Sequence, residues 1–455
     1  MSEAMFGLRF GSNSEGATGE PVKDSSRKFR ILLIAEAANP EWTSVPLIGW
    51  NLFRSLAKVA NVHLVTQIRN REAIIRQGLV EGRDFTAIDN ESFAGPLSRI
   101  SEILRGGSGK GWTTISAISS FAYYSFEQKM WRQFRERLVA NEFDLVHRIT
   151  PLSPTSQSIV AKRLANLKIP FVIGPLNGGV PWPKSFRRRQ YAEREWLSHV
   201  RGIFKLMPGY LSTRKYSAAI IVGSKYTGAE MPDWVKQKCV YIPENGVDLN
   251  VFNSPREPSV KFPLRAVFIG RLVPYKGADM LLEAAAPFLR AGALTLHILG
   301  DGPQRQFLAE LVDKLSIGRW VHFDGWVPHT EIHKALRGFD FLVLPSIREF
   351  GGGVVVEAMA LGVTAVVADY GGPAELVDDT TGIRVAFSDK ASLIEGLGLA
   401  IGKIVRSPDL LNKLGSAARQ RVVEKLSWDA KADQILKIYA AVLEKSKNLN
   451  YLDYK

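Results

Sequence analysis

Two short stretches in the second half of the chain carry charges of opposite sign where the backbone turns. The first reads Gly270-Arg271-Leu272-Val273-Pro274-Tyr275-Lys276-Gly277 and follows an apolar run. Arg271 and Lys276 bring a forked guanidinium and a point-charge ammonium to one loop, the fixed positive charge that a diphosphate needs. By themselves, two such cations suit a solvated loop equally well. The second stretch reads Pro345-Ser346-Ile347-Arg348-Glu349-Phe350-Gly351-Gly352-Gly353 and runs into VVVEAMALG. Its glycines free the backbone to approach a ligand, and the helix that follows offers unpaired N–H groups to an anion. Glu349 falls in the loop and Glu357 about one turn into the helix, so both carboxylates can face one ligand. A carboxylate is a good acceptor for sugar hydroxyls. Glu357 also fits a carboxylate that balances the helix dipole, and the glycines a flexible turn. Three glycines before an apolar helix with an embedded Glu weigh against that plainer reading.

Loops of this kind need strands behind them. Apolar runs of strand length at 264–270 (LRAVFIG), 294–300 (LTLHILG), 320–324, 339–345 and 364–369 alternate with helical stretches. The first half repeats the alternation, with runs at 30–37 (RILLIAEA), 62–66, 145–149, 170–173 and 218–222 and a helix over 49–59. Alternation of this type predicts parallel sheets with crossover helices, and in such sheets ligands bind at the carboxyl ends of the strands. The expected fold class is α/β, with two doubly wound domains joined near residues 250–262. Residues 1–28, rich in Gly, Ser and charge, are expected to be a disordered tail. The first domain is placed at 29–250 and the second at 251–427. A last segment, 428–455, opens with an amphipathic helix over 428–444 that carries Ile435, Ile438, Tyr439 and Val442 at helical spacing.

At 455 residues, with 46% hydrophobic and 23% charged residues, the composition is that of a globular protein with two or three cores. The one cysteine, Cys239, allows no intrachain disulfide and fits a reducing compartment. The N-terminus lacks the apolar core of a secretory signal, and no uncharged apolar run reaches about 18 residues. The longest, 354–368, is interrupted by Glu357. The expected location is the cytoplasm, with at most peripheral attachment to the cytoplasmic face of a membrane.

The formal net charge of +14 is unevenly placed. Residues 1–250 hold 34 Lys+Arg against 22 Asp+Glu, whereas 251–455 hold 25 against 23. Such asymmetry points to an anionic partner for the first half, or to a basic surface that serves solubility. The densest stretch, 184–215, carries nine basic residues and two Glu. Read as a helix, it puts Arg187, Arg194, Ser198, Arg201 and Lys205 on one face and Trp196, Val200, Ile203 and Met207 on the other. The pattern fits a surface helix with its apolar side in the core, or an interfacial helix on anionic lipid. Trp182, Trp196 and Phe204 favour the second. Arg187, Arg188 and Arg189 are the candidate contacts to such a surface.

Taken together, the order and spacing of these motifs resemble the retaining glycosyltransferases of family 4. Glu349 and Glu357 match the E-x7-E motif of that family, with its internal Phe350-Gly351. Arg271 and Lys276 match its G-R-x-x-x-x-K-G clamp. NGVDLNVF (245–252), ILGDGP (298–303), FDGWVPHTEI (323–332) and FDFLVLPS (339–346) resemble the family as well. The resemblance is strongest over 243–385. It implies a GT-B fold, two Rossmann-like domains facing across a cleft, with a nucleotide-diphosphate sugar, a UDP-sugar foremost, held mainly by the C-terminal domain. On that pattern Arg271 and Lys276 bind the diphosphate, and Glu357 bonds the ribose hydroxyls. Glu349 and the backbone at Phe350, Gly351 and Gly352 hold the transferred sugar, and the last helix crosses back to the N-terminal domain. No Asp-x-Asp occurs in the sequence. This agrees with members that neutralise the leaving diphosphate through side chains and a helix terminus, so neither a metal nor another cofactor is expected.

The acceptor half departs from the family. Asp144-Leu145-Val146-His147-Arg148-Ile149-Thr150 sits where members often carry His-x-His, and Ile149 occupies the second His position. His147 is a candidate catalytic residue and Arg148 a candidate acceptor contact, although a lone strand histidine equally fits a structural role. GPLNGGVPWPK (174–184) resembles the GPxGGG segment of some members. Residues 39–49 follow the first strand and are expected to line the cleft, with Gly49 opening a helix whose amides could face the donor phosphates.

The activity implied is hexosyl transfer with retained anomeric configuration. The acceptor is a membrane lipid or lipid-linked saccharide, or else a soluble sugar or metabolite. A different class of reading is a non-catalytic membrane or RNA-binding protein on the same scaffold. Intact Arg271, Lys276, Glu349 and Glu357 argue against it. No RNA-binding signature accompanies the basic stretch, so no nucleic-acid partner is expected.

Overall fold

A computed structural model describes residues 27–92, 112–187, 189, 203–257, 261–445, 449, 452 and 453, with the backbone alone at 112–121 and 203–204. The expected tail up to residue 26, Arg188, and positions 190–202 of the basic stretch lie outside the described residues.

Strands β1 (Arg30–Ala35), β2 (Asn61–Gln67), β3 (Phe85–Ile88), β4 (Leu145–Thr150), β5 (Phe171–Leu176), β6 (Ala219–Val222) and β7 (Cys239–Tyr241) form one sheet. Its order is β3-β2-β1-β4-β5-β6-β7 and its pairs are parallel. A second parallel sheet holds β8 (Leu264–Ile269), β9 (Leu294–Leu299), β10 (Val321–Gly325), β11 (Phe341–Leu344), β12 (Thr364–Ala368) and β13 (Gly382–Val385). Its order is β10-β9-β8-β11-β12-β13. Each sheet runs outward from its first strand and then reverses, at the β1 and β4 pair in one and the β8 and β11 pair in the other. Crossovers leave such a point on opposite faces and open a crevice at the carboxyl ends.

The alternation of side chains explains why the central strands read as unbroken apolar runs. Ile31 and Leu33 of β1 pack on one face, with Leu52, Phe53 and Leu56 of the helix Val45–Val59. Leu32 and Ile34 pack on the other, with Phe126, Met130 and Phe134 of the helix Trp112–Val139. In the second sheet Ala266 and Phe268 of β8 meet the helix Ala278–Arg290, while Val267 and Ile269 meet the helix Gly353–Ala360. Strands buried on both faces have no solvent side to mark with polar residues.

The last helix, Trp428–Leu443, is capped by Ser427, whose Oγ accepts from the Ala430 N–H at 3.2 Å. Trp428, Ala432, Ile435, Ile438, Tyr439 and Val442 then enter the core under the first sheet, beside Ile48, Leu52 and Leu56. The chain thus returns to its first half after completing the second.

Three strands escaped the sequence reading. β3, β7 and β13 are 4, 3 and 4 residues long and lie at the edges of their sheets, where a strand carries few positions to show a period. Gly49 is also corrected. The helix begins at Val45 with a proline in its first turn, so Gly49 is its fifth residue and not at the open amino end. No helix among the described residues is long and apolar enough to cross a membrane.

Candidate active site

β8 and β11 are neighbours, and the two charged loops leave their carboxyl ends side by side. The first loop passes through a single 3-10 turn, Pro274–Lys276, before Gly277 caps the helix Ala278–Arg290. Gly277 has φ 75°, and a Cβ there would lie 2.5 Å from the Pro345 carbonyl oxygen. Only glycine lets the two loops touch at this point. The Ile347 N–H donates to the Tyr275 oxygen at 2.9 Å, a second tie between them.

The contact brings Lys276 Nζ into a hydrogen-bonded ion pair with the Glu349 carboxylate. Burial works against the Lys276 charge, but Glu349 outweighs it and holds the ammonium above its usual range. Arg271 stands exposed at the lip of the same loop. Gly352, with φ 67°, caps the helix Gly353–Ala360, whose first amides open toward the crevice. One turn further, Glu357 Oε1 is bonded to Nε2 of His329 at 2.8 Å, and this bond raises the His329 pKa despite the cost of burial. The side chains of Glu349 and Glu357 are only 21% and 13% exposed, so each keeps an edge accessible within a largely dry wall. A diphosphate entering here would compete with Glu349 for Lys276, and hydroxyls would meet carboxylates already ordered by cations.

The first half of the chain closes over this site. Asn177 Nδ2 donates to the Phe350 oxygen at 3.1 Å, Arg348 Nε to the Val180 oxygen at 3.3 Å, and the Tyr370 hydroxyl to the Pro181 oxygen at 2.9 Å. Trp182 stands edge-on to Tyr275 with ring centres 6.1 Å apart, and Phe186 does the same to Phe387 at 5.9 Å. Arg189 ends the segment with an ion pair to Asp279 at 2.6 Å, their side chains 18% and 4% exposed. The segment 177–189 is a strap seated on the second domain.

That placement corrects several expectations. Trp182 and Phe186 are buried in the core of the second domain, so Trp182 does not face lipid. Arg189 is committed to Asp279 and is no membrane contact, while Arg187 is exposed. His147 is fully buried with both ring nitrogens engaged, Nδ1 with the Tyr439 hydroxyl at 2.6 Å and Nε2 with the Gly174 oxygen at 2.8 Å. Burial pushes its pKa down to about 4, so it is a neutral packing residue with no exposed edge to offer a substrate. Arg148 is equally buried, with Nη1 on the Ser156 oxygen at 2.8 Å and its guanidinium over the Tyr123 ring at 5.4 Å. A strand interior buried on both faces directs neither side chain to the cleft.

Other residues here were not anticipated. His329 lay inside a quoted motif but carried no spacing signal. Glu244, Asn245 and Asn177 meet the Phe350 turn only through tertiary contact. Lys431 is fully buried, and the sequence held a clue to it: it falls on the apolar stripe of the last helix, four residues before Ile435.

Two Rossmann-like sheets in a single chain, with paired loops at the second switch point, are the GT-B architecture of glycosyltransferases. The solved structure of Anabaena Alr3699/HepE in complex with UDP superposes with TM-score 0.61 at 16% identity, over 90% of this chain and 100% of that one. Residues 253–421 match the family described as Glycosyl transferases group 1. The chain is 33% identical over 182 residues to a glycogen synthase of Mycobacterium tuberculosis, which is 39% of this chain and 43% of that protein. It is 33% identical over 199 residues to a D-inositol 3-phosphate glycosyltransferase of Nocardia farcinica, covering 42% of each. The chain thus spans less than half the length of these curated relatives.

Proposed function

We propose that the chain transfers a hexosyl group from a nucleotide-diphosphate sugar, a UDP-sugar first, to an acceptor hydroxyl with retention at the anomeric carbon. The observation that carries this reading is the convergence of Lys276, Glu349, the glycine turn and Glu357 at the β8 and β11 switch point. In the proposed site Arg271 and Lys276 take the diphosphate, the turn at Phe350, Gly351 and Gly352 with Glu349 takes the sugar, and Glu357 takes the ribose. The C1–O bond to the diphosphate breaks, the acceptor oxygen bonds C1 on the same face, and its proton leaves on a phosphate oxygen. Side-chain cations and the helix amides stabilise the departing charge, with no metal in the scheme.

The test is donor hydrolysis with UDP-glucose, UDP-N-acetylglucosamine, GDP-mannose and ADP-glucose, each with and without EDTA. Turnover of one donor, unchanged by EDTA and lost in Glu349→Gln, is expected. No turnover of any donor sinks the enzymatic reading, and loss to EDTA restored by a divalent ion sinks the metal-free one.

For the acceptor we propose a lipid at an anionic surface. Leu206 and Leu211 are 85% and 65% exposed, and Lys205 and Arg187 are exposed in the same basic half. Apolar side chains flanked by cations suit the headgroup boundary. A soluble phosphorylated polyol is the second reading, favoured by the relative named for D-inositol 3-phosphate.

A further inference from the structure

Glu244 is 9% exposed and sits just beyond β7, where the chain leaves the first domain. A buried carboxylate is costly unless its lone pairs are used, and here two asparagine amides use them. Asn245 Nδ2 donates to its Oε1 at 3.4 Å. Asn177, from the strap, hydrogen-bonds to it, and Lys431 of the last helix adds a favourable charge while donating to the Pro243 oxygen. On the remaining side lies the donor turn. A Cβ on Gly351 would be 2.2 Å from Glu244 Oε1 and 1.9 Å from Asn245 Nδ2, so backbone and carboxylate are in direct packing contact. The Asn177 amide is oriented by the Gly178 N–H, which donates to its Oδ1 at 2.8 Å, and this leaves Nδ2 to hold the Phe350 oxygen at 3.1 Å.

We infer that Glu244 is a positioning residue for the sugar-holding turn: it organises Asn177 and Asn245 against Phe350 and Gly351, and through them fixes the backbone that meets the transferred sugar. The inference rests on the glycosyl-transfer reading of the site. Strap and linker each donate a hydrogen bond to this carboxylate and the last helix sets the Lys431 charge near it, so all three segments converge behind the turn. Burial pushes the Glu244 pKa up to about 7 and the Lys431 pKa down to about 7, because desolvation disfavours the charged form of each. A hydrophobic side chain would fill the same volume without that penalty, but would take an acceptor from both asparagine amides and leave Asn245 Nδ2 without the one it has here.

The experiment separates nucleotide binding from turnover. Glu244→Gln keeps the shape but presents an amide N–H to amide donors. Calorimetric titration with UDP should give a dissociation constant within about threefold of wild type, since Arg271, Lys276 and Glu357 are untouched. Hydrolysis of the best donor among the four above should fall about tenfold or more at saturation. Asn177→Ala should reproduce the split, and the double variant should be no slower than the slower single one, because both act on one turn. Wild-type turnover in Glu244→Gln overturns the inference. So does a parallel loss of UDP affinity, turnover and unfolding temperature, which marks a purely structural role. A wild type that binds none of UDP, GDP and ADP overturns the underlying reading and this inference with it.

Discussion

Arg189 donates through both terminal nitrogens to Asp279, at 2.6 and 3.3 Å, and so ties the end of the strap to the first turn of the helix that follows Lys276. Breaking a buried pair from one side leaves a desolvated charge. Lys390 Nζ, 3.7 Å from the same carboxylate, offsets part of that cost. Arg189→Met is therefore expected to destabilise by about 2–3 kcal/mol, toward the low end for a buried pair. Thermal unfolding is the check, and Arg189→Met with Asp279→Leu should recover most of the loss.

The proposed diphosphate clamp predicts unequal effects. Arg271→Ala should weaken UDP by about 10- to 100-fold, the worth of one or two charge-assisted hydrogen bonds. Lys276→Ala should cost more, because Glu349 is then left facing the phosphates without its cation. Adding Glu349→Gln to Lys276→Ala should return part of the affinity in a calorimetric titration. Unchanged affinity in both single variants removes the clamp.

His329 gives a pH signature. Its folded pKa is raised by Glu357, so the pair stabilises fully below the unfolded value and the contribution fades as pH rises through the folded value. His329→Asn should lower the unfolding temperature at about pH 5.5, below the unfolded value of about 6.5, more than at about pH 9. The shift should be small, since the ring is 41% exposed and screened. An equal drop at both pH values would show that the ion pair contributes nothing.

Surface attachment is tested with the strap's contacts to the second domain left unaltered. Leu206→Ser with Leu211→Ser, and separately Lys205→Ser with Arg187→Ser, should each reduce sedimentation with phosphatidylglycerol vesicles. Each cation contributes about 1 kcal/mol near an anionic leaflet. Raised salt should release the wild type, and phosphatidylcholine vesicles should bind little of it. Wild type that ignores anionic vesicles at low salt moves the acceptor to the soluble class.

Sequence patterns located the long central strands because their burial on both faces leaves a largely unbroken apolar run, as in β1. The donor loops were legible because strand ends, glycines and charges fall close together in sequence. Edge strands of 3 or 4 residues carry too few positions to show a period. His147 and Arg148 misled because periodicity says that a strand residue alternates, not which face is solvent, and here neither is. Contacts such as Asn177 to Phe350 span 173 residues and leave no local mark. The strap was misread for a related reason. Trp182 and Phe186 signal a need for burial, but the partner, another domain or a lipid, is not written beside them.

The path of the last helix has a consequence for dissection of the molecule. The core beneath the first sheet is finished by Ile435, Ile438, Tyr439 and Val442, which are synthesised after the entire second domain. A fragment ending near residue 250 would lack one wall of its own core and expose Ile48, Leu52 and Leu56. The two sheets are therefore not separable by a single cut. A working N-terminal fragment requires the terminal helix supplied in trans or spliced on by a linker, and on the ribosome this first sheet is the last part of the molecule to be completed.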